Sequence, residues 1–183
     1  MCGAILAEGH ETCEMNWLFI VRFVTQPAVR NGSLDSTDRR LLRLLQKNNR
    51  RPLRDLANEL EISAPTCLRR MRRLEASGII RAHTAVLNPV RIGLGVMAFI
   101  EVTLVNASGA EMALFERRMS RCPEVTQCSE ISGEVDYLLT VQVHHMQQFA
   151  DFTRTHLGGD RRIRSYRSLL VMRQLKNAHE LPL

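Results

Sequence analysis

Hydrophobic positions recur with a helical period in the segment that follows residue 33. A leucine-rich run predicts one amphipathic helix over residues 36–48, and Pro52 opens a second, shorter one. A third helix is predicted over residues 64–77, because Ser63 is a favourable N-cap and Gly78 is typical of a helix end. Three short helices in this order predict a helix-turn-helix.

From residue 95 onward the pattern alternates between strands and helices. The strands are predicted at residues 95–105, 125–131, 136–143 and 163–175, and the helices at residues 109–121 and 146–157. The order βαββαβ predicts an α+β, ferredoxin-like sheet with both helices on one face. The other face of such a sheet needs a cover, and a second copy of the chain is the expected one.

Charge is distributed unevenly along the 183 residues. Residues 34–91 carry 13 basic and 6 acidic side chains, whereas residues 1–33 have a net charge of −1 and residues 92–183 are neutral. An excess confined to one block predicts a module that binds a polyanion. No apolar run approaches the roughly 20 residues of a membrane helix, so no membrane partner is expected.

The third predicted helix has one apolar face and one face of arginines. Arginine offers a planar donor fork that suits phosphates and the edge of guanine. A merely solvated face would usually mix charges of both signs, and this helix places no acidic residue on the arginine arc. The helix is therefore predicted to enter the major groove of double-stranded DNA. The predicted DNA-binding residues are Ser63, Thr66, Arg69, Arg70, Arg72 and Arg73.

The residues after this helix, 79–87, are predicted to form a β-wing. Its Arg81, His83 and Thr84 are either phosphate contacts or ordinary exposed polar residues.

The cysteines indicate no disulfide framework or zinc site. There are five, an odd number, and no pair has CxxC spacing. We expect them to be reduced thiols in a cytoplasmic protein, with no metal and no cofactor. Motifs of enzymes, such as a nucleophile elbow, a P-loop or a dinucleotide fingerprint, do not occur in the sequence. An enzyme is therefore not predicted.

Five motifs follow one another between residues 34 and 139. They are Leu34-Asp35-x-x-Asp38, Leu56-Ala57, Cys67-Leu68-x-Arg70-Met71-Arg72-Arg73-Leu74-Glu75-x-x-Gly78-Ile79-Ile80, Leu87-Asn88-Pro89 and Ser132-Gly133-x-x-Asp136-Tyr137-Leu138-Leu139. In this order they resemble the Lrp/AsnC family of transcription regulators, the leucine-responsive or feast/famine proteins. The resemblance implies a winged helix-turn-helix, a ligand-sensing sheet domain, a response to amino acids, and homodimers that often assemble into octamers.

The resemblance also implies an effector site near the turn between the second and third strands, at a subunit interface. By position it maps onto Ser132, Gly133, Asp136 and Tyr137, and onto Ser168 and Leu169 of the last strand. A free amino acid needs an acceptor for its ammonium group and donors for its carboxylate. Asp136 and the backbone of the glycine turn could supply them. The alternative is that Gly133 serves the hairpin and Asp136 caps the turn.

With this resemblance, the domains are predicted as follows. Residues 1–33 are a mobile extension, 34–89 the winged helix-turn-helix, 90–95 a linker, and 96–183 the effector-binding and oligomerisation domain. The predicted function is DNA-binding transcription regulation by a small-molecule effector. An amino-acid-binding metabolic sensor without DNA binding is the alternative.

Two positions depart from the family's pattern. Glu61 stands in a turn that often holds glycine, and a positive φ there would cost about 1 kcal/mol. The start of the third helix reads Ser63-Ala64-Pro65-Thr66 instead of the frequent Ser-Pro-Thr-Pro.

Overall fold

Three helices open the part of the chain that the computed structural model describes, residues 34–183. They are α1 (Ser36–Lys47), α2 (Leu53–Glu59) and α3 (Ala64–Ala76). These bounds confirm the predicted helix-turn-helix. Its core is apolar and comes from all three helices: the buried residues are Leu41, Leu42, Leu45, Leu56, Ala57, Leu60, Cys67 and Leu74. The extension predicted over residues 1–33 lies outside the described residues.

Local backbone chemistry fixes both ends of α3. The Thr66 N–H donates to the Ser63 hydroxyl at 3.4 Å, which confirms the predicted N-cap. Gly78 follows the helix with a φ of 73°, a conformation that glycine adopts without strain. In the turn before α3, Glu61 has a φ of 58° and is the non-glycine residue with positive φ among those described. The turn therefore holds glutamate in a glycine-like conformation.

The second half is a four-stranded antiparallel sheet with the predicted βαββαβ order. Its elements are β1 (Val96–Leu104), α4 (Gly109–Met119), β2 (Val125–Glu130), β3 (Tyr137–Val143), α5 (Met146–Thr153) and β4 (Ile163–Leu170). The strands lie in the order β2-β3-β1-β4, which confirms the ferredoxin-like arrangement. A short 3₁₀ turn, Val90–Ile92, precedes β1, and a π-helical turn, Arg154–Gly158, extends α5.

Both helices cover the same face of the sheet. Alternate residues of the two central strands are buried there, among them Ile100 of β1 and Leu139 of β3. Phe115 of α4 and Phe149 of α5 pack onto them. The opposite face has no covering element within residues 34–183, and Leu169 of β4 is exposed.

The structure differs from the prediction in two irregular segments. Residues 81–88 form neither strand nor helix, so the β-wing predicted over 79–87 lacks its strands in the described chain. The last strand ends at Leu170 rather than at residue 175. The pairing stops there because β1 begins at Val96. The last hydrogen bond runs from the Val171 N–H to the Met97 carbonyl oxygen, near the start of β1.

Residues beyond β4 return to the helix-turn-helix. Gln46 of α1 exchanges two hydrogen bonds with the Leu181 backbone, one of them from the Leu181 N–H at 2.6 Å. Arg43 Nε donates to the carbonyl oxygen of Leu183 at 2.7 Å. The tail thus links the sheet domain to α1. No helix within residues 34–183 has the length and apolarity needed to cross a membrane.

Candidate functional site

The outer surface of α3 carries two unpaired arginines. Arg69 and Arg72 are exposed, and neither forms an ion pair with another described residue. At the start of the helix the Ser63 hydroxyl donates to Thr66 Oγ1 at 2.9 Å, so the two predicted contact residues are ordered together. The outer surface of α3 therefore presents the two guanidinium groups, with the hydroxyls of Ser63 and Thr66 at its start.

The other two predicted arginines of α3 bind a carboxylate. Arg70 Nη1 donates to Asp38 Oδ1 at 2.8 Å, and Arg73 Nη2 binds Asp38 Oδ2. Sequence reasoning placed no acidic residue on this arc, which is true of α3 alone but not of the folded domain. Asp38 comes from α1 and is fully buried. The sequence indicated the burial of Asp38 but not its partners, because Asp38 precedes Leu41, Leu42 and Leu45 at helical spacing.

The wing residues lie at the surface. Arg81 and Thr84 are exposed, and His83 Nε2 lies 3.1 Å from Glu75 Oε1 on α3. A groove of about 790 Å³ is lined by residues 79–86, the end of α1 and the returning tail. It lies on the helix-turn-helix and not beside the predicted effector turn.

The predicted effector turn joins β2 to β3 and is exposed. Gly133 has a φ of 153°, and a Cβ atom at this position would meet nothing within 4 Å. Ser132 is exposed beside it. The backbone here is accessible, as a site for a carboxylate requires.

Asp136 is half-buried at the end of this turn and bridges to β1. Its Oδ2 accepts a hydrogen bond from the Leu104 N–H at 2.6 Å. Its own N–H donates to the Val102 carbonyl at 3.0 Å. One carboxylate oxygen therefore stabilises the sheet.

Tyr137 points into the core beneath α4. It is 1 % exposed, its ring centroid lies 4.7 Å from that of Phe115, and its hydroxyl donates to Glu116 Oε1 at 2.9 Å. This placement does not support a direct contact between Tyr137 and an effector on the open face of the sheet.

Ser168 and Leu169 lie apart from the effector turn within one chain. They pair with Ile100 and Phe99 of β1, so β1 separates them from β3. Two strand spacings amount to about 10 Å. The structure therefore brings Ser132, Gly133 and Asp136 together but not these two residues.

An ion-pair cluster that the sequence did not indicate joins α4 to the segment that precedes β4. Asp160 binds Arg118 of α4, and Arg162 Nε donates to Asp160 Oδ1 at 3.0 Å. Burial alone would raise the pKa of Asp160, but hydrogen bonds from Arg162 and the charges of both arginines hold it below its usual value. The ionised carboxylate therefore stabilises this corner of the domain.

Two cysteines of the sheet domain have weakened acidity. Burial raises the pKa of Cys122, whose Sγ lies 3.5 Å from His156 Nδ1. Desolvation, with the charge of Glu116, raises the pKa of Cys128 to about 11. Neither thiol is activated as a nucleophile at neutral pH.

Comparisons with known proteins agree with this arrangement. Residues 34–81 match the family model for a winged helix-turn-helix DNA-binding domain, and residues 97–181 match the Lrp/AsnC ligand binding domain. A leucine-responsive regulatory protein of Rhizobium meliloti is 37% identical over 145 residues, which cover 79% of this chain and 93% of that protein. An uncharacterized HTH-type transcriptional regulator of Haemophilus influenzae is 37% identical over 140 residues, 76% of this chain and 83% of the relative.

Solved structures share the fold at similar identity. An AsnC family transcriptional regulator from Agrobacterium tumefaciens is 33% identical with a TM-score of 0.77, over 81% of this chain and 96% of that one. A transcriptional regulator from Neisseria meningitidis, solved as a complex with L-Met, is 33% identical with a TM-score of 0.77, over 82% and 97% of the two chains. With both halves matched in order, the chain belongs to the Lrp/AsnC family of DNA-binding transcriptional regulators, which are not enzymes.

Proposed function

We propose that this regulator reads double-stranded DNA with the exposed face of α3, and that Arg69 and Arg72 make the principal contacts. The observation that carries the proposal is the pair of exposed, unpaired guanidinium groups on a helix that Ser63 caps and two other helices support. Thr66 and Ser63 lie at the end of α3 that approaches the DNA first. Arg70 and Arg73, which the sequence also predicts as contacts, are bound by the Asp38 carboxylate and contribute mainly through the position of α3.

The proposed effector is an amino acid. The similarity to the Neisseria meningitidis regulator crystallised with L-Met supports this class of ligand. Backbone N–H groups at Ser132 and Gly133 would bind its carboxylate, and the Asp136 carboxylate would bind its ammonium group. Because Ser168 and Leu169 are a strand away in the same chain, we propose that a second subunit supplies them.

The proposed assembly is a homodimer, which could build further into octamers. The face of the sheet opposite the helices is uncovered in residues 34–183, and Leu169, which pairs with Phe99 on that face, is 42% exposed. Residues 81–92 add further exposed apolar side chains, including Val86 and Val90. A second copy in the cytoplasm would bury both surfaces.

Two measurements test the proposal. Fluorescence anisotropy with the chain's own upstream DNA should show salt-dependent binding that exceeds binding to a mixed-sequence duplex. A thermal-shift screen of the standard amino acids should raise the melting temperature with one or a few of them. An amino-acid response without any DNA binding would instead support a metabolic sensor.

A further inference from the structure

The carboxylate of Asp38 is enclosed between α1 and α3 and engages two arginines, one on each oxygen. Arg70 binds Oδ1 at 2.8 Å and Arg73 binds Oδ2, while Asp38 itself is 0% exposed. Arg70 and Arg73 are three residues apart, so they lie on one side of α3. A single side chain of α1 therefore holds one side of the recognition helix.

This double contact resists rotation of α3 about its own axis. If the helix rolled, at least one of the two ion pairs would break and leave buried charge uncompensated, which is strongly unfavourable. Arg69 and Arg72 each directly precede one of the anchored arginines. Each is therefore displaced by about 100° around the helix from the anchored arginine that follows it. The anchored side thus sets the direction in which the exposed arginines point.

The same contact lowers the charge that the anchored arginines offer to DNA. A phosphate oxygen that approached Arg70 would compete with a carboxylate already in place, and the Arg70 side chain is only 24% exposed. Arg72 has no such competitor among the described residues. Arg70 and Arg72 should therefore differ in how many counterions each displaces when the protein binds DNA.

We infer that Asp38 is a positioning residue for DNA recognition: it fixes Arg70 and Arg73 against α1 and so aims Arg69 and Arg72 at the DNA. The inference rests on the proposed use of α3 as the recognition helix. On this inference Arg70 and Arg73 mainly hold α3 in position, and the Asp38 carboxylate contributes to DNA binding without contacting DNA.

The first experiment compares Arg70→Gln with Arg72→Gln in the full chain. Binding to a mixed-sequence duplex is measured by anisotropy over a series of salt concentrations. Arg72→Gln should lower the slope of log affinity against log salt by about 0.9, the value for one phosphate contact. Arg70→Gln should leave the slope unchanged. A loss of slope in Arg70→Gln equal to that in Arg72→Gln overturns the role given to Asp38.

The second experiment removes the carboxylate charge. Asp38→Asn is compared with Glu59→Gln, which makes the same charge change in the exposed Arg51–Glu59 pair of the same domain. Asp38→Asn should steepen the salt slope by about one unit, because the released Arg73, whose side chain is 56% exposed, reaches a phosphate. It should also reduce the preference for a duplex selected by the wild-type protein from a random-sequence pool by about tenfold. Equal slopes and preferences in the two variants overturn the inference.

The outcomes separate this inference from the proposed function. If Asp38→Asn fails to fold, the comparison of Arg70→Gln with Arg72→Gln decides alone. If neither Arg69→Gln nor Arg72→Gln changes the slope or the affinity of the wild type, the exposed face of α3 does not bind DNA, and the proposed function fails together with the inference. If both Arg70→Gln and Arg72→Gln lower the salt slope, the positioning role of Asp38 is overturned but the proposed DNA binding by α3 stands.

Discussion

The Tyr137 hydroxyl donates a hydrogen bond to Glu116, which ties the start of β3 to α4 and directs the side chain away from the open face of the sheet. Burial raises the pKa of Tyr137 well above its usual value, and the bond to the carboxylate of Glu116 adds to the rise. The phenol is therefore neutral and keeps its O–H as a hydrogen-bond donor to Glu116 at any pH at which the protein would be studied.

Replacing Tyr137 by Phe should reduce the free energy of unfolding by about 1–2 kcal/mol, because Glu116 loses a buried donor. Urea unfolding measures this change. Tyr166→Phe is the control, since Tyr166 is 40% exposed on β4 and should change the stability little. Effector affinity by calorimetry should be unaltered in Tyr137→Phe. A tenfold weaker affinity would instead support direct contact with the ligand.

Removing the side chain of Arg69 or Arg72 should weaken binding to a cognate duplex by about 1–3 kcal/mol if the residue reads a base edge. A contact to phosphate alone would instead lower the salt slope by about one unit. Anisotropy titrations at several salt concentrations distinguish the two. Arg117→Ala, an exposed arginine on α4, should leave both quantities unchanged. Unchanged binding in both α3 variants would contradict the assignment.

Glu61→Gly should stabilise the protein by about 1 kcal/mol, because glycine adopts the observed φ of 58° without steric penalty. Thermal or urea unfolding followed by circular dichroism would measure the gain. The same substitution inside a helix, Glu75→Gly in α3, should destabilise by a similar amount. A loss of stability in Glu61→Gly would mean that contacts of the glutamate side chain outweigh its backbone strain.

Lowering the pH should remove the stabilisation that Asp160 provides. Its folded pKa is depressed, so the contribution is complete above the unfolded value of about 3.9 and is lost as the pH falls through the folded value. Asp160→Asn should therefore be less stable than the wild type near pH 7, and the difference should shrink below about pH 4. Urea unfolding of both proteins across this range tests the sign. A difference that stays constant with pH would exclude the ionised form as the cause.

Asp136→Asn should abolish the amino-acid response while preserving the fold and basal DNA binding. The amide oxygen can still accept the Leu104 N–H, so the sheet keeps its bond, but the negative charge for an ammonium group is gone. Calorimetry with the amino acid found by thermal shift would measure the affinity. Wild-type affinity in this variant would place the ligand elsewhere and leave Asp136 as a residue of the sheet.

Periodicity predicted the elements because burial dictates which positions are apolar. Tyr137, Leu139, Val141 and Val143 alternate along β3, which places them on one face of the sheet, and all four are buried. The assignment of Tyr137 to the effector site came from position in a motif, which carries no information about the direction of a side chain. Where the two kinds of argument differ, the strand period is the physical constraint.

Contacts between segments far apart in the chain could not be predicted from the sequence. Asp38 lies 32 residues from Arg70, and nothing local selects this carboxylate over others as its partner. The return of the tail to Gln46 across 135 residues is of the same kind, since it depends on where β4 ends and the chain turns. The end of β4 in turn depends on the length of its partner strand.

The ion pairs of Asp38 divide the recognition helix into positions that can vary and positions that cannot. Substitution at Arg69 or Arg72 changes what the helix offers to DNA without disturbing a buried charge, so a duplicated copy of the gene could acquire a new operator through these codons while keeping its fold. Substitution at Arg70 leaves part of a buried carboxylate uncompensated, and selection for a folded protein would oppose it. Changes of target sequence among copies should therefore occur at positions 69 and 72 rather than at position 70.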